Sequence, residues 1–373
     1  MKRPLAGPGI MDGMRTATSI RIPYHRLLDE RGAAIGELPD FARDPAEMLR
    51  MYRLMTLVRV FDAKAVSLQR TGQLGTYASC LGHEATHVGV AAAMRPEDVL
   101  APVYREYATQ MWRGVTMREI LLYWGGDERG NDFAGPRQDF AWCVPIATQT
   151  MHAAGAAMAL KIRGEPRCAL AFIGDGGTSE GAFYEALNLA GARDLPVVFM
   201  IVNNGWAISV PVAAQTAADT LAQKAVAAGI PGFQVDGNDV IAVRDVVANA
   251  LKVARSGGGP SVIEALTYRL SDHTTADDAS RYRSAEELRL AWAREPLLRL
   301  RVFLVEAGYW DQSHEQELLA DCAAQVEAAV AEYLGTPKQS TDAMFEHLFA
   351  EPTAQLLEQR ETARRYAVKS GGH

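Results

Sequence analysis

The sequence is poor in cysteine and contains no long apolar run and no run of basic residues. Its 373 residues include 4 cysteines without a CxxC pair, which argues against a disulfide framework or a cysteine zinc site and fits a reducing cytoplasm. No apolar run reaches the roughly 18 residues of a membrane span, and residues 1–19, expected to form a mobile arm, lack the apolar core of a signal peptide. The formal charge of −7 argues against nucleic acid as a partner. We therefore expect a globular, cytoplasmic protein that does not associate with membranes.

A strand-helix-strand unit is predicted in the middle of the chain. The apolar runs 169–173 and 197–202 are short and bounded by Gly, Pro and Asn, which is typical of buried parallel strands. Apolar residues between them recur at helical spacing, so we predict a helix there. Thr178 or Ser179 would cap this helix, and Gly191 lies near its expected end.

Polar side chains follow both predicted strands. A right-handed crossover places the carboxyl ends of the strands side by side, so Asp175 and Asn204 are expected to open onto one crevice. Their oxygens, with a backbone carbonyl such as that of Trp206, suit Mg²⁺. Glycines would let the backbone approach an anion there; they are Gly174, Gly176 and Gly177. The stretch therefore predicts a binding site for a magnesium-bound di- or triphosphate. The alternative interpretation is an acidic turn between two core strands.

These residues carry a family resemblance. Gly-Asp-Gly followed by Asn-Asn after a strand-helix-strand unit resembles the thiamine diphosphate motif. GDGGTSEG and NNGWAIS are similar to the α subunit of the E1 component of 2-oxo acid dehydrogenase complexes, of the heterotetrameric pyruvate and branched-chain type. The resemblance covers about residues 45–338 and implies an α/β thiamine diphosphate-binding fold, with a mostly parallel sheet and helices on both faces. We expect an arm and irregular lead-in (1–44), the cofactor-binding domain (45–283) and a C-terminal helical region (284–373).

The resemblance also implies cofactor contacts outside the central unit. In the YRE segment, Tyr104 would contact the cofactor and Arg105 would bind its diphosphate; from spacing alone, a surface pair between Arg105 and Glu106 is equally expected. The backbone of Val144 and the side chain of Ile146 would hold the aminopyrimidine. Some relatives bind potassium at this turn; the corresponding residues here are Cys143, Pro145, Thr148 and Gln149.

A polar stretch at residues 268–283 begins where a strand is predicted to end. It contains HTTADDASRYRS, which resembles the E1 α active-site loop, although a solvated loop is the alternative. By resemblance, His273 contacts the diphosphate and assists acyl transfer to a lipoyl arm, which makes it the catalytic candidate. Asp277 and Arg283 would order the loop.

One feature departs from the family pattern. Relatives usually carry a second active-site histidine in the loop before Pro145, but residues 125–142 contain none. Arg129 stands near the expected position. Residues 125–140 are predicted to form a surface loop over the mouth of the cofactor site. Because of this departure, the resemblance does not decide which 2-oxo acid is the substrate.

A runner-up function comes from another motif. His83-Glu84-Ala85-Thr86-His87 matches HExxH, which on one helix would bind zinc through two histidines with a glutamate as base. Glu106 lies near where some zinc peptidases have a third ligand. The glycine-rich extension of such enzymes is missing. We therefore favour a structural interpretation, in which His83 caps a helix and His87 is a partly buried, hydrogen-bonded histidine.

The remaining periodicity predicts further elements. Helices are expected at 45–71, 85–94 and 239–255, strands at 99–103 and 262–268, a helix-turn-strand segment at 220–237, and two charged helices at 285–334 followed by a polar helical tail.

The function implied by the resemblance is that of half an enzyme. An E1 α subunit decarboxylates a 2-oxo acid with thiamine diphosphate and Mg²⁺, then reductively acylates the lipoyl group of E2. The glutamate that activates the cofactor comes from a β subunit in an α₂β₂ heterotetramer. TLAQKAVAAGIPG looks more like pyruvate than branched-chain E1 α, so pyruvate is the favoured substrate.

Overall fold

The structure is a computed structural model that describes residues 21–369, so the arm predicted at residues 1–19 lies outside the described part. The strands are β1 (Tyr24–His25), β2 (Val99–Ala101), β3 (Ala169–Gly174), β4 (Val197–Asn203), β5 (Trp206–Ala207), β6 (Val210–Pro211), β7 (Gly232–Asp236) and β8 (Ser261–Leu266). The helices are α1 (Pro45–Arg70), α2 (Glu84–Ala93), α3 (Tyr107–Trp112), α4 (Met117–Trp124), α5 (Thr148–Arg163), α6 (Gly181–Ala192), α7 (Val212–Gln215), α8 (Val240–Arg255), α9 (Ala285–Trp292), α10 (Pro296–Glu306), α11 (Gln312–Leu334) and α12 (Ala354–Lys369).

Six of the strands form one parallel sheet in the order β1-β7-β8-β4-β3-β2. The two strands predicted from the central apolar runs, β3 and β4, are neighbours, with Ala169 opposite Val197 and Gly174 opposite Val202. Helix α6 connects them, as predicted. The α/β fold class with a mostly parallel sheet is therefore confirmed.

The sheet separates two apolar layers. Successive side chains of a strand point to opposite faces, and along β3 Leu170 and Phe172 pack into a different cluster from Ala171 and Ile173. The first cluster includes side chains of α1, α2 and α8, and the second includes those of α5 and α6. Because both faces are covered, β3 and β4 are apolar at nearly every position, which explains their continuous apolar sequence.

Local side-chain chemistry sets the helix ends. Helix α1 begins at Pro45, where Asp44 caps it by accepting a hydrogen bond from the Ala46 amide at 2.9 Å. Asp239 caps α8 and also accepts from the amides of Leu27 and Leu28 at 2.8 and 2.6 Å. This carboxylate thus ties the lead-in segment to the α/β layer.

Several predicted boundaries differ from the structure. Glu180, without a side-chain hydrogen bond, holds the cap position of α6, whereas Thr178 donates its hydroxyl to the carbonyl of Asp175 at 2.7 Å. The predicted helix after residue 220 is a 3₁₀-helix. Three helices occupy the region predicted to hold two, because Glu295 and Pro296 start a new helix.

Within residues 21–369, no helix is long and apolar enough to cross a membrane.

Candidate active site

A cavity of about 570 Å³ opens at the carboxyl ends of β2, β3 and β4. Side chains and turns from both sides of the sheet line it, and the residues expected at a cofactor site are among them. They are Tyr104, Arg105, Val144, Ile146, Gly174, Asp175, Gly176, Gly177, Asn204, Trp206 and His273. The position agrees with the rule that ligands of open parallel sheets bind beyond the strands' carboxyl ends.

Asp175 follows β3 and is 2% exposed. Its Oδ2 accepts a hydrogen bond from Nε2 of Gln215 at 2.8 Å. Burial raises the pKa of the Asp175 carboxyl, and the Gln215 hydrogen bond opposes that rise. A buried carboxylate with only amide partners is suited to a bound cation.

Asn204 and Trp206 form the turn after β4, on the same cavity. The Asn204 side-chain oxygen accepts from the Trp206 amide at 3.1 Å, and Gly205 makes this turn with a φ of +89°. The Trp206 carbonyl accepts from Nη1 of Arg269 at 3.1 Å. A carbonyl oxygen has a second lone pair, so this atom can still coordinate a metal. Three oxygens of the type that Mg²⁺ prefers thus come from two neighbouring strand ends.

The glycines of this turn serve two purposes. A Cβ on Gly176 would approach the Ala207 Cβ to 2.5 Å, and one on Gly177 would approach Ile173 Cγ1 to 2.7 Å. Close packing therefore requires glycine at both positions. A Cβ on Gly174 would meet no atom within 4 Å, so this residue leaves open space on the cavity wall.

Arg105 is 6% exposed, and its guanidinium reaches the loop that carries His273. Its Nη1 donates to the Ser79 carbonyl at 2.5 Å, and its Nη2 donates to the His273 carbonyl at 2.9 Å. Glu106 instead accepts from the amides of Val103 and Arg105 at 2.8 and 3.3 Å. The alternative of a surface pair between Arg105 and Glu106 is therefore wrong.

The loop after β8 is held by hydrogen bonds within itself. Asp277 accepts from the His273 amide at 2.9 Å and from the Tyr282 hydroxyl. Arg283 donates to the carbonyls of Arg269 and Ser271 at 2.5 and 3.2 Å. Asp277 and Arg283 are the two residues expected to order the loop, and both contact its backbone.

The ring of His273 lies next to Tyr104, with ring centroids 6.5 Å apart, and lines the cavity. Burial, together with the charges of Arg105 and Arg269, lowers the pKa of His273 to about 3, and the charge of Asp277 opposes this shift. The imidazole is therefore neutral at ordinary pH.

The turn before α5 lines the opposite wall. Val144 and Ile146 are 50% and 44% exposed, although they are apolar. Ala147 completes the turn with a φ of 68°, a left-handed conformation that is unfavourable for residues other than glycine. Such strain is commonest at functional sites.

Arg129, which was expected near the missing second histidine, does not line the cavity. Its guanidinium pairs with Asp127 and donates to the Pro337 carbonyl at 2.7 Å. The pairing directs this side chain to the C-terminal region, so Arg129 does not replace that histidine.

The HExxH segment is buried, and its contacts do not support a peptidase site. Glu84 is fully buried and accepts from Arg59 and from the Gly82 amide, both at 2.9 Å. Within residues 21–369, no three His, Cys, Asp or Glu side chains form a group that could hold a metal. The zinc metallopeptidase alternative is therefore set aside.

The two histidines of this segment also differ from expectation. His83 occupies the cap position of α2 without making a side-chain capping bond. His87 is fully buried, and no group in the described part of the chain hydrogen-bonds a ring nitrogen of either residue. Their rings pack edge to face at 5.5 Å. His83 lines the cavity, which the motif did not indicate.

These histidines predict acid sensitivity. Burial lowers the pKa of His87 from 6.5 to about 3 and that of His83 well below 6.5. The unfolded chain binds these protons below about pH 6.5 and the folded chain does not. The stability that these two histidines contribute is therefore fully present above about pH 6.5 and decreases as the pH falls, and for His87 the loss is about 1.4 kcal/mol per pH unit down to its folded-state pKa of about 3.

We expect His87→Leu to reduce the pH slope of the unfolding free energy by about 1.4 kcal/mol per unit between about pH 5 and 6. Urea unfolding at several pH values measures it. His314→Leu, on the exposed start of α11, is the control for the general effect of replacing a histidine. Equal slopes for the wild type and His87→Leu would contradict the burial argument.

Two residues of the site were not identified from the sequence. Arg269 lies in a polar stretch in which the sequence gives it no role, yet it is fully buried against the turn after β4. Gln215, which contacts Asp175, lies in the short helix α7. No motif or periodicity marks either residue.

Comparison with known proteins gives consistent matches. The family model described as "Dehydrogenase E1 component" matches residues 52–341. The 3-methyl-2-oxobutanoate dehydrogenase subunit alpha of Mycobacterium tuberculosis is 44% identical over 322 residues, which cover 86% of this chain and 88% of that protein.

Two proteins named pyruvate dehydrogenase E1 component subunit alpha are also similar. That of Staphylococcus aureus is 39% identical over 347 residues, covering 92% of this chain and 93% of the relative. That of Acholeplasma laidlawii is 41% identical over 342 residues, covering 91% and 99%. With this family model and these relatives covering most of its length, the chain belongs to the dehydrogenase E1 component family.

Proposed function

We propose that this chain is the α subunit of a heterotetrameric E1 component, which decarboxylates a 2-oxo acid with thiamine diphosphate and reductively acylates the lipoyl group of E2. The observation that carries the proposal is that Asp175, Asn204 and Trp206, which follow two neighbouring strands, line one cavity. Membership of the E1 family supports the same reaction class.

The polar end of the cavity fits a metal-bound diphosphate. Asp175, Asn204 and the Trp206 carbonyl would hold Mg²⁺, with waters and phosphate oxygens completing its coordination. Arg105 would neutralise phosphate charge, and Gly174 leaves room for the anion. When bound, thiamine diphosphate supplies the nucleophilic carbon that attacks the 2-oxo group.

The apolar end fits the rings of the cofactor. Val144 and Ile146 present exposed apolar surface to the cavity. Ile146 would support the bent cofactor, and the Val144 backbone would hydrogen-bond the aminopyrimidine. Tyr104 would close the cavity beside His273.

The site requires a partner for its chemistry. Three carboxylates line the cavity. Asp175 would bind the metal, Glu106 is buried with backbone amides as its partners, and Glu180 is exposed at the cap position of α6. The glutamate that activates the aminopyrimidine would come from a β subunit, which would cover the exposed side chains of Val144 and Ile146. Because the catalytic groups would be divided between α and β subunits, we propose an α₂β₂ assembly that acylates a lipoylated E2.

A potassium ion at the Pro145 turn is part of the proposal. Gln149 is 1% exposed, and its Nε2 donates to the Phe172 carbonyl at 2.7 Å. Its Oε1 has no hydrogen-bond partner among residues 21–369, which is the observation that supports a cation here. Cys143 instead donates its thiol to the Pro145 carbonyl, with a sulfur-oxygen distance of 3.6 Å.

The four cysteines are unpaired, which fits the cytoplasmic location we propose.

The direct test is an assay of the chain with its co-expressed β subunit, using pyruvate and branched-chain 2-oxo acids. We expect no activity from the α chain alone and activity with one of these acids when β is present. Elemental analysis should find magnesium and no stoichiometric zinc. Failure with every acid, or stoichiometric zinc, would contradict the proposal.

A further inference from the structure

Two arginines approach the same ring nitrogen of His273. Nη2 of Arg105 lies 3.1 Å from Nδ1, and Nη1 of Arg269 lies 3.4 Å from it. A guanidinium is always protonated and can only donate hydrogen bonds. Nδ1 must therefore be the acceptor, because a hydrogen on it would point at two cations.

Both arginines are fixed in place by other acceptors. Arg269 is fully buried and donates to the carbonyls of Trp206 and Ile208 at 3.1 and 2.7 Å. It also donates to the Tyr282 hydroxyl at 2.8 Å. Arg105 is held by the Ser79 carbonyl at 2.5 Å. Neither guanidinium can leave Nδ1 without losing these hydrogen bonds.

The other ring nitrogen has no such partner. Among the described residues, no protein group hydrogen-bonds Nε2 of His273, and the residue lines the cavity. The neighbouring carboxylate of Asp277 accepts from the His273 amide, so it does not orient the ring through Nδ1–H. In an active-site histidine, Nδ1–H usually donates to a carboxylate or a carbonyl. Here Nδ1 instead faces two hydrogen-bond donors.

We infer that Arg105 and Arg269 fix His273 as its Nε2–H tautomer, and that Arg269 is a positioning residue for this histidine. The inference rests on the proposed function for its role in catalysis. His273 donates a hydrogen bond from Nε2 to an anionic ligand oxygen. The Nε2–H bond does not break, because loss of this proton from the neutral ring would leave an imidazolate anion unless Nδ1 took up a proton. Nδ1 does not take up a proton beside two guanidinium groups.

The tautomer can be measured without activity. Histidine labelled with ¹³C and ¹⁵N is incorporated into the co-expressed complex, and solid-state NMR distinguishes protonated from unprotonated ring nitrogens. Subtraction of the His273→Gln spectrum identifies the His273 signals. We expect an unprotonated Nδ1 and a protonated Nε2, both without ligand and with Mg²⁺ and thiamine diphosphate. A protonated Nδ1 in the wild type would overturn the inference.

Variants test the part played by Arg269. Arg269→Met removes both the positive charge and the N–H donors of one of the two groups at Nδ1, so a measurable Nδ1–H population should appear. Arg283→Met is the matched control, since Arg283 lies on the same loop and donates to backbone carbonyls. It should keep the wild-type tautomer. An unchanged tautomer in Arg269→Met would overturn the assignment of Arg269.

The two proposals fail separately. Inactivity toward every 2-oxo acid would refute the proposed function and leave the tautomer assignment standing. A protonated Nδ1 in an active complex would refute the tautomer assignment and leave the proposed function standing.

Discussion

Replacing Asp175 by asparagine should weaken Mg²⁺-dependent binding of thiamine diphosphate by more than about 100-fold. Loss of a group that only orients a metal ligand already costs about 10- to 100-fold in metal affinity, and Asp175 supplies the only charge among the three proposed ligands. Asparagine keeps the size and one oxygen, so the variant removes charge rather than volume. Isothermal titration calorimetry with and without Mg²⁺ measures the effect.

Two other variants separate metal binding from damage to the fold. Asp236 is also a buried acid at the end of a strand of this sheet, but it pairs with Arg299 at 2.6 Å. Asp236→Asn should lower stability and leave cofactor affinity within a few-fold of the wild type. Gln215→Leu removes the hydrogen bond to Asp175 and should weaken binding by about 10- to 100-fold. If Asp175→Asn binds thiamine diphosphate with wild-type, Mg²⁺-dependent affinity, the assignment of Asp175 as a metal ligand is wrong.

Replacing His273 by alanine should reduce acylation of a lipoyl domain by about 100- to 1,000-fold and leave cofactor affinity within about 10-fold. Removal of one preorganised donor at a developing charge costs about this much in turnover. Mg²⁺ and Arg105 should still hold the diphosphate. Comparison of lipoyl acylation with decarboxylation measured by an artificial electron acceptor separates the two steps.

Glutamine tests the donor character of His273. Its amide N–H can reach the position of Nε2, so His273→Gln should recover part of the activity that alanine loses. His314→Ala, on the exposed start of α11, is the control for general effects of histidine loss. Normal lipoyl acylation by His273→Ala would contradict its catalytic role.

The centre of the fold was predictable because its signals are local. Strands β3 and β4 are buried on both faces and are therefore continuously apolar. Topology then places Asp175 and Asn204 at the same sheet edge, whatever the rest of the chain does. The cavity position of these two residues follows from short-range pattern and sheet geometry alone.

The parts that the sequence did not reveal depend on distant contacts. Arg269 follows β8 in a polar stretch, and its burial arises from the carbonyls of Trp206 and Ile208 on another strand's turn. The sequence predicts that His83 caps a helix and that His87 is hydrogen-bonded, but where α2 packs on the sheet their rings have no hydrogen-bond partner in the described part of the chain. No spacing rule encodes such contacts.

An experimental structure of the complex with Mg²⁺ and thiamine diphosphate tests the central claim most directly. We expect the metal about 2.0–2.1 Å from oxygens of Asp175, Asn204 and the Trp206 carbonyl, with the diphosphate in the same cavity. A metal held by other residues, or a diphosphate bound outside this cavity, would contradict the account.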